Sequence, residues 1–472
     1  MKRAASEGFL QRFTRRVRSG IVHNWLLIYL VLLITGTFFL TRSSSSRDEG
    51  VWDELDGQGV AYARDGEVVN IDLSSSMLYS REPKESTFQP FFSKRPMVLW
   101  STDFYVSPIY DLKHLLGPLG VKFIDKSLSD TCERTKTCAN GIRVLNRHNA
   151  MTLTQATIDA FYKEYKDDPE IKKVDAFVCF YPVSLCRLYA PFNKSLILIA
   201  SHRYELGQTD HWSAWNRQLT ELAADPKNII AATNKYDAEY IKYFTGLQPY
   251  VIPSYCGYIT VKYNPVRRGF LLSAGRDRRV WNAFLTQYDA VCEAMNCSMD
   301  LQPLRRKYPS YSYRDIASHQ GIVHVPHQVS AMSLFEQYRM NIPIFFPSVE
   351  LLSNWQLKYM VMPERTLAGV DGSRSAYSAI QPHPSQKDTP NPNNDRELHA
   401  IKFWLKFADF YQLPYIVYYD SFDDLVRKME SSNLEYISLR MHWHNEVFRE
   451  ELMAKWRHIL TTVAQHSPHH PE

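Results

Sequence analysis

Two single residues and one basic cluster have the types and positions needed for chemistry. Asp103 and His202 each follow a short apolar run, Met97 to Trp100 and Leu196 to Ala200. Both therefore fall at the C-terminal end of an expected strand, where open α/β sheets bind ligands. A carboxylate or an imidazole at such a place can take a proton from a hydroxyl, and these two are the catalytic candidates. With 16 His in the chain, a loop-bonding role for His202 is the competing reading. The segment Phe270 to Asp277, FLLSAGRD, is an apolar run entering Arg276, with Arg278 and Arg279 just behind. Guanidinium forks pair with phosphate oxygens, so this cluster suits a diphosphate; a solvated helix start is the alternative. No G-x-x-x-x-G-K-[ST] loop and no G-x-S-x-G elbow occurs, which argues against nucleoside-triphosphate hydrolysis and against a serine nucleophile.

The elements that must position these residues alternate strand and helix from Met97 onward, the pattern of parallel α/β structure. Expected strands are Met97 to Trp100, Val121 to Ile124, Asp175 to Phe180, Leu196 to Ala200, Ile229 to Ala232 and Tyr250 to Ile252. Helices are expected through Leu112 to Leu116 and over 153-166, 212-224 and 235-245, the last closed by Gly246. After Asn264-Pro265 a second cycle begins: strand Gly269 to Ser273, helix 279-295, strand Gly321 to Val325, helix Ser333 to Met340 and strand Ile342 to Phe346. Helices at 397-411 and 434-463 complete the order, and the tail after Gln465 is expected to fray. The fold class is α/β, with two Rossmann-like doubly wound domains. Their expected bounds are 95-263 and 264-430, with a loop insertion at 364-397 and a last helix and tail at 431-472.

The stretch His324 to Pro347, HVPHQVSAMSLFEQYRMNIPIFFP, runs strand, polar loop, helix, strand. It resembles the donor-binding segment of GT-B glycosyltransferases, especially the large retaining family with the pattern E-G-F-G-x-x-x-x-E-A-M-A-x-G-x-P. Glu336 and Pro343 keep the spacing of the second Glu and the final Pro. The resemblance implies that Glu336 holds the ribose hydroxyls of a nucleotide and that the helix entry from Ser330 to Ser333 meets its diphosphate, with His327 and Gln328 in the same donor-binding loop. It also implies that Arg276 and Arg279 face the donor phosphates. The pattern's first Glu falls on Gln328, which has no carboxylate for a developing positive charge, and its glycines fall on Val329 and Ala331. A helix-solvating Glu336 is the plain reading of the same residue.

The resemblance implies a glycosyltransferase that moves a sugar from a nucleotide-diphosphate donor to a glycan or glycoconjugate, with the nucleotide-sugar as co-substrate and no other cofactor. The alternative is a catalytically silent binding protein that kept the fold, which Gln328 favours. No Asp-x-Asp lies in an apolar context, so metal-dependent GT-A chemistry and a metal site are not expected.

Length and charge set the frame. The 472 residues exceed one domain, and 45% hydrophobic with 22% charged residues is an ordinary globular composition. The net charge of +5 is that of residues 1-18 alone, where six Lys and Arg stand against Glu7. The rest is neutral and shows no nucleic-acid footprint. No charged residue lies between Arg18 and Arg42, a span able to cross a bilayer, and Phe38 to Arg42 is a poor cleavage site. The expectation is a cytosolic tail at 1-18, a transmembrane anchor at 19-41 and a lumenal stem at 42-94, with a short strand near Val68 to Leu73. The positive-inside rule makes this a single-pass type II protein of the Golgi or ER. Asn193 and Asn296 are glycosylation acceptors by pattern. Cys132 and Cys138 bracket a polar loop as a local disulfide. Cys179 with Cys186 and Cys292 with Cys297 are also close in sequence, and Cys256 is left over. Zinc is the rival for such pairs, but no Cys-x2-Cys spacing supports it.

Overall fold

The computed structural model describes residues 61–62, 68–69, 91–92, 94–139, 141–275, 278–370, 378 and 380–470. The tail at 1-18, the anchor at 19-41 and Arg276 lie outside them. Among the described residues no helix is long and apolar enough to cross a membrane. The chain divides into two units, Met1–Lys84 and Glu85–Glu472. In the first, β1 (Ala61–Tyr62) pairs antiparallel with β2 (Val68–Val69).

The second unit holds two parallel sheets. β3 (Met97–Ser101), β4 (Val121–Asp125), β5 (Ala176–Cys179), β6 (Ser195–Ala200), β7 (Ile229–Ala232) and β8 (Tyr250–Val251) form one, in the order β4-β3-β5-β6-β7-β8. β9 (Phe270–Ala274), β10 (Leu301–Pro303), β11 (Gly321–Val325), β12 (Ile344–Pro347) and β13 (Val417–Tyr419) form the other, in the order β10-β9-β11-β12-β13. Strands buried on both faces read as unbroken apolar runs, and β6, SLILIA, is buried at every position. The three-residue edge strands β10 and β13 are too short to show any periodicity, and the sequence pattern does not reveal them.

The principal helices are α1 (Val106–Leu116), α2 (Gln155–Tyr165), α3 (Trp212–Ala224), α4 (Lys235–Thr245), α5 (Arg278–Ala294), α6 (Met332–Arg339), α7 (Val349–Tyr359), α8 (Leu398–Leu405), α9 (Phe422–Ser431) and α10 (Leu434–Gln465). The Asn234 side chain caps α4 at the Asp237 amide, and Gly246, at φ 74°, closes it in the left-handed conformation. The helix expected at 397-411 stops at Leu405. Ala408 is extended, and a separate turn covers Asp409–Tyr411.

α10 joins the two halves. Asn445 on it donates to the Tyr338 carbonyl at 3.0 Å and to Asn341 at 2.8 Å. Its later residues Leu452, Trp456, Ile459 and Leu460 pack with Met97, Leu99, Ile197 and Ile199 in the core of the first sheet. The tail does not fray: Ser467 donates to Asp175 at 2.6 Å, and this buried carboxylate also accepts from the Val98 amide.

The loop insertion expected at 364-397 is structural rather than peripheral. Arg365 is fully buried, pairs with Asp395 at 2.6 Å and donates to the carbonyls of Pro392 and Asn394. Arg203, from the loop after β6, pairs with Asp237 at 2.8 Å and donates to the Arg365 carbonyl at 3.0 Å. Tyr236 lies between the two arginines, under the Arg203 guanidinium and accepting from Arg365. Removing one member of such a pair strands its partner's charge. Arg365→Ala and Asp395→Ala are each expected to cost about 3–5 kcal/mol, read by urea unfolding.

Cys132–Cys138, Cys179–Cys186 and Cys292–Cys297 are disulfides, and Cys256 is free and buried. Asn193 and Asn296 are exposed.

Candidate functional site

A cleft of about 720 Å³ opens at the C-terminal ends of both sheets. Phe104 and Tyr105 reach it from after β3, Tyr181 from after β5, Ser201 and His202 from after β6, and Thr233 from after β7. The second half contributes Gln328 and Ser330 after β11, Ala331, Met332 and Phe335 from the start of α6, and Glu364 and Leu367 from beyond α7. Glu364 is the one charged side chain among the described lining residues.

Of the two proton-handling candidates, only His202 lines this cleft. Burial, and then the neighbouring Arg203, lower its pKa to about 3. The imidazole is therefore neutral throughout the physiological range, able to accept a hydrogen bond but a weak sink for a proton. Its ring lies 6.0 Å from that of Tyr181, and the rings of Tyr105 and Tyr181 are 6.2 Å apart.

Asp103 is in the wrong place for a base, since it does not line the cleft. It is 1% exposed, and its carboxylate accepts from the amides of Tyr105, Phe180 and Tyr181 at 2.8–3.1 Å. The first sheet changes direction between β3 and β5, the place where such sheets leave a crevice. Asp103 fills that crevice and ties the two loops together. Burial raises its pKa to about 7, with the three amides pulling the other way.

The corresponding switch point of the second sheet lies between β9 and β11. There Gly275 sits against His327: a Cβ on the glycine would come within 3.1 Å of the His327 Cβ. His327 is half-buried behind the cleft, and its carbonyl accepts from the Glu364 amide at 3.2 Å. Ser330 lies beside the buried Asp409, whose amide donates to the Val329 carbonyl at 3.0 Å. The α6 N-terminus has no side-chain cap, and its Met332 amide faces the Tyr105 hydroxyl.

Glu336 is not among the lining residues. It accepts from Tyr258 at 2.7 Å and Tyr313 at 2.9 Å, so it braces α6 against the interdomain linker and the segment before β11. Ser333 is half-buried and Arg279 exposed, and neither lines the cleft. Glu364 is not legible in the sequence because it stands in a stretch with the composition of an inserted loop; a single Glu in a Pro-rich run gives no local signal. Among the described residues no three His, Cys, Asp or Glu side chains gather as a metal would need.

No family model and no curated protein matches the sequence. Solved structures do show likenesses. A glycosyltransferase from Rickettsia africae is 9% identical with a TM-score of 0.47, covering 79% of this chain and all of the other. The glycosyltransferase of kitacinnamycin is 12% identical with a TM-score of 0.40, covering 78% and 100%. Glycosyltransferase VinC in complex with DTDP is 13% identical with a TM-score of 0.36 over the same shares. At such scores none of them assigns a role to a residue here; the roles rest on this cleft's own geometry.

Burial also raises the Asp409 pKa to about 8, with Ser330 acting in the opposite direction. For Asp103 and Asp409 the folded value lies above the 3.8 of an ordinary Asp, so the folded state holds protons that the unfolded chain releases. Their contribution is therefore greatest at low pH and declines as pH rises from about 4 to about 8. In urea unfolding, the stability of Asp409→Asn relative to the parent should shift in the variant's favour between about pH 5 and about pH 8.5. A pH-independent difference would mean that Asp409 does not titrate in this window.

Proposed function

We propose that the chain is a glycosyltransferase of GT-B architecture. It takes a sugar from a nucleotide-diphosphate donor and passes it to a glycan or glycoconjugate hydroxyl. The observation that carries this reading is a cleft built from the C-terminal ends of two parallel sheets, with an uncapped helix N-terminus on one wall and aromatic rings on the other. The α6 entry, with Ser330 and Gln328, supplies amide and hydroxyl donors for the diphosphate and sugar. Tyr105, Tyr181 and His202 form the acceptor wall, His202 accepting a hydroxyl hydrogen bond. Arg276 and Arg279 remain the candidate cations for the donor phosphates.

A second reading, a silent nucleotide- or glycan-binding protein, is favoured by Gln328 in place of a carboxylate and by the lack of Lys or Arg among the described lining residues. The full chain, offered a panel of UDP-, GDP- and dTDP-sugars, is expected to release nucleotide from at least one. Gln328→Ala and His202→Ala should each cut that turnover by about 100-fold without lowering the melting temperature. Donor binding without turnover supports the silent protein instead.

The same proposal places the folded part in the Golgi or ER lumen behind a type II anchor, as the basic tail and apolar span imply. The exposed Asn193 and Asn296 are then both glycosylated. Endoglycosidase treatment of protein expressed in a secretory host should increase gel mobility, and Asn193→Gln with Asn296→Gln should abolish that shift.

A further inference from the structure

The acceptor hydroxyl must lose a proton, and neither residue that the sequence offers is built to take it. Asp103 is sealed by three main-chain amides and does not line the cleft. His202 lines it but holds a proton only in strong acid. Glu364 differs from both. It stands in the turn Pro363–Arg365, lines the cleft and has no hydrogen-bond partner for its carboxylate among the described residues. Its backbone is fixed on both sides: its own amide donates to the His327 carbonyl at 3.2 Å, and the next residue, Arg365, is locked by Asp395. The carboxylate is near enough to Tyr181 that its charge, after burial, helps hold that phenol protonated above its ordinary range. An anchored, unengaged carboxylate thus faces the wall where the acceptor would lie.

Resting on the glycosyltransferase reading, we infer that Glu364, on the donor half of the molecule, is the general base of the transfer. The acceptor O–H bond breaks and its proton passes to the Glu364 carboxylate. The acceptor oxygen forms a bond to the anomeric carbon of the nucleotide-sugar. The bond from that carbon to the diphosphate breaks, and its electron pair leaves on the phosphate oxygen. Glu364 then returns the proton to solvent. A single displacement of this kind inverts the anomeric configuration.

The test uses the full chain with the same donor panel and p-nitrophenyl glycosides as acceptors. Glu364→Gln is expected to lower kcat by about 100-fold or more. Donor KM and melting temperature should stay near those of the parent, because Gln keeps the shape and loses only the basicity. Formate added to Glu364→Ala should restore part of the lost rate, which a merely structural role would not allow. NMR of the product should show inversion. Transfer by Glu364→Gln at a near-parental rate, or a product with retained configuration, overturns the inference while leaving the glycosyltransferase reading intact. No donor binding and no transfer by the parent chain removes both.

Discussion

Two buried arginine–aspartate pairs hold the halves of this molecule in the arrangement that creates its cleft. Arg203 and Asp237 belong to the first half, Arg365 and Asp395 to the second, and the Arg203 guanidinium reaches the Arg365 carbonyl. Buried charges are tolerated only when paired and hydrogen-bonded, and here every arm of Arg365 has a partner. Such an arrangement has one geometry. The residues that flank the two arginines, His202 and Glu364, both line the cleft. The clasp therefore sets the separation of the two walls as well as the docking of the domains.

The rest of the interface works in the same direction. Asp111 on α1 accepts from the amides of Tyr255 and Gly257, fixing the linker as it leaves the first half. α10 starts against the second half and ends in the core of the first. Hydrophobic burial supplies the bulk of that docking, and the polar contacts fix its register. The cleft is thus bounded by elements crossing in both directions, which favours a preorganised site over one assembled by large closure.

The two switch points have been put to different uses. In the first sheet a carboxylate plugs the crevice and stabilises the loops that carry Tyr105 and Tyr181. In the second, Gly275 and His327 meet closely behind the wall that carries Gln328 and Ser330. A shared topology therefore yields one sealed crevice and one wall rich in donors, and the difference comes from single side chains.

Much of the framework is legible in the chain itself. The bounds expected for the helices at 212-224 and 235-245 and for the strands Ile229 to Ala232 and Gly321 to Val325 coincide with those observed, because period, caps and Gly246 are local signals. The loops after β3, β6 and β11 are likewise legible as the chemical ones, since strand ends in a parallel sheet point to one side. What the sequence could not express is orientation across long separations. Glu336 matched a spacing, yet two tyrosines distant in the chain take up its carboxylate; Glu364 matched nothing, yet it lines the cleft next to a buried arginine. Asp103 and His202 read alike, and their environments made one a brace and the other a neutral acceptor. Local sequence thus determined the elements and the end of each sheet where chemistry could occur. Only tertiary packing decided which side chains meet there and in what charge state, because burial and partner geometry are set by residues far apart in the chain.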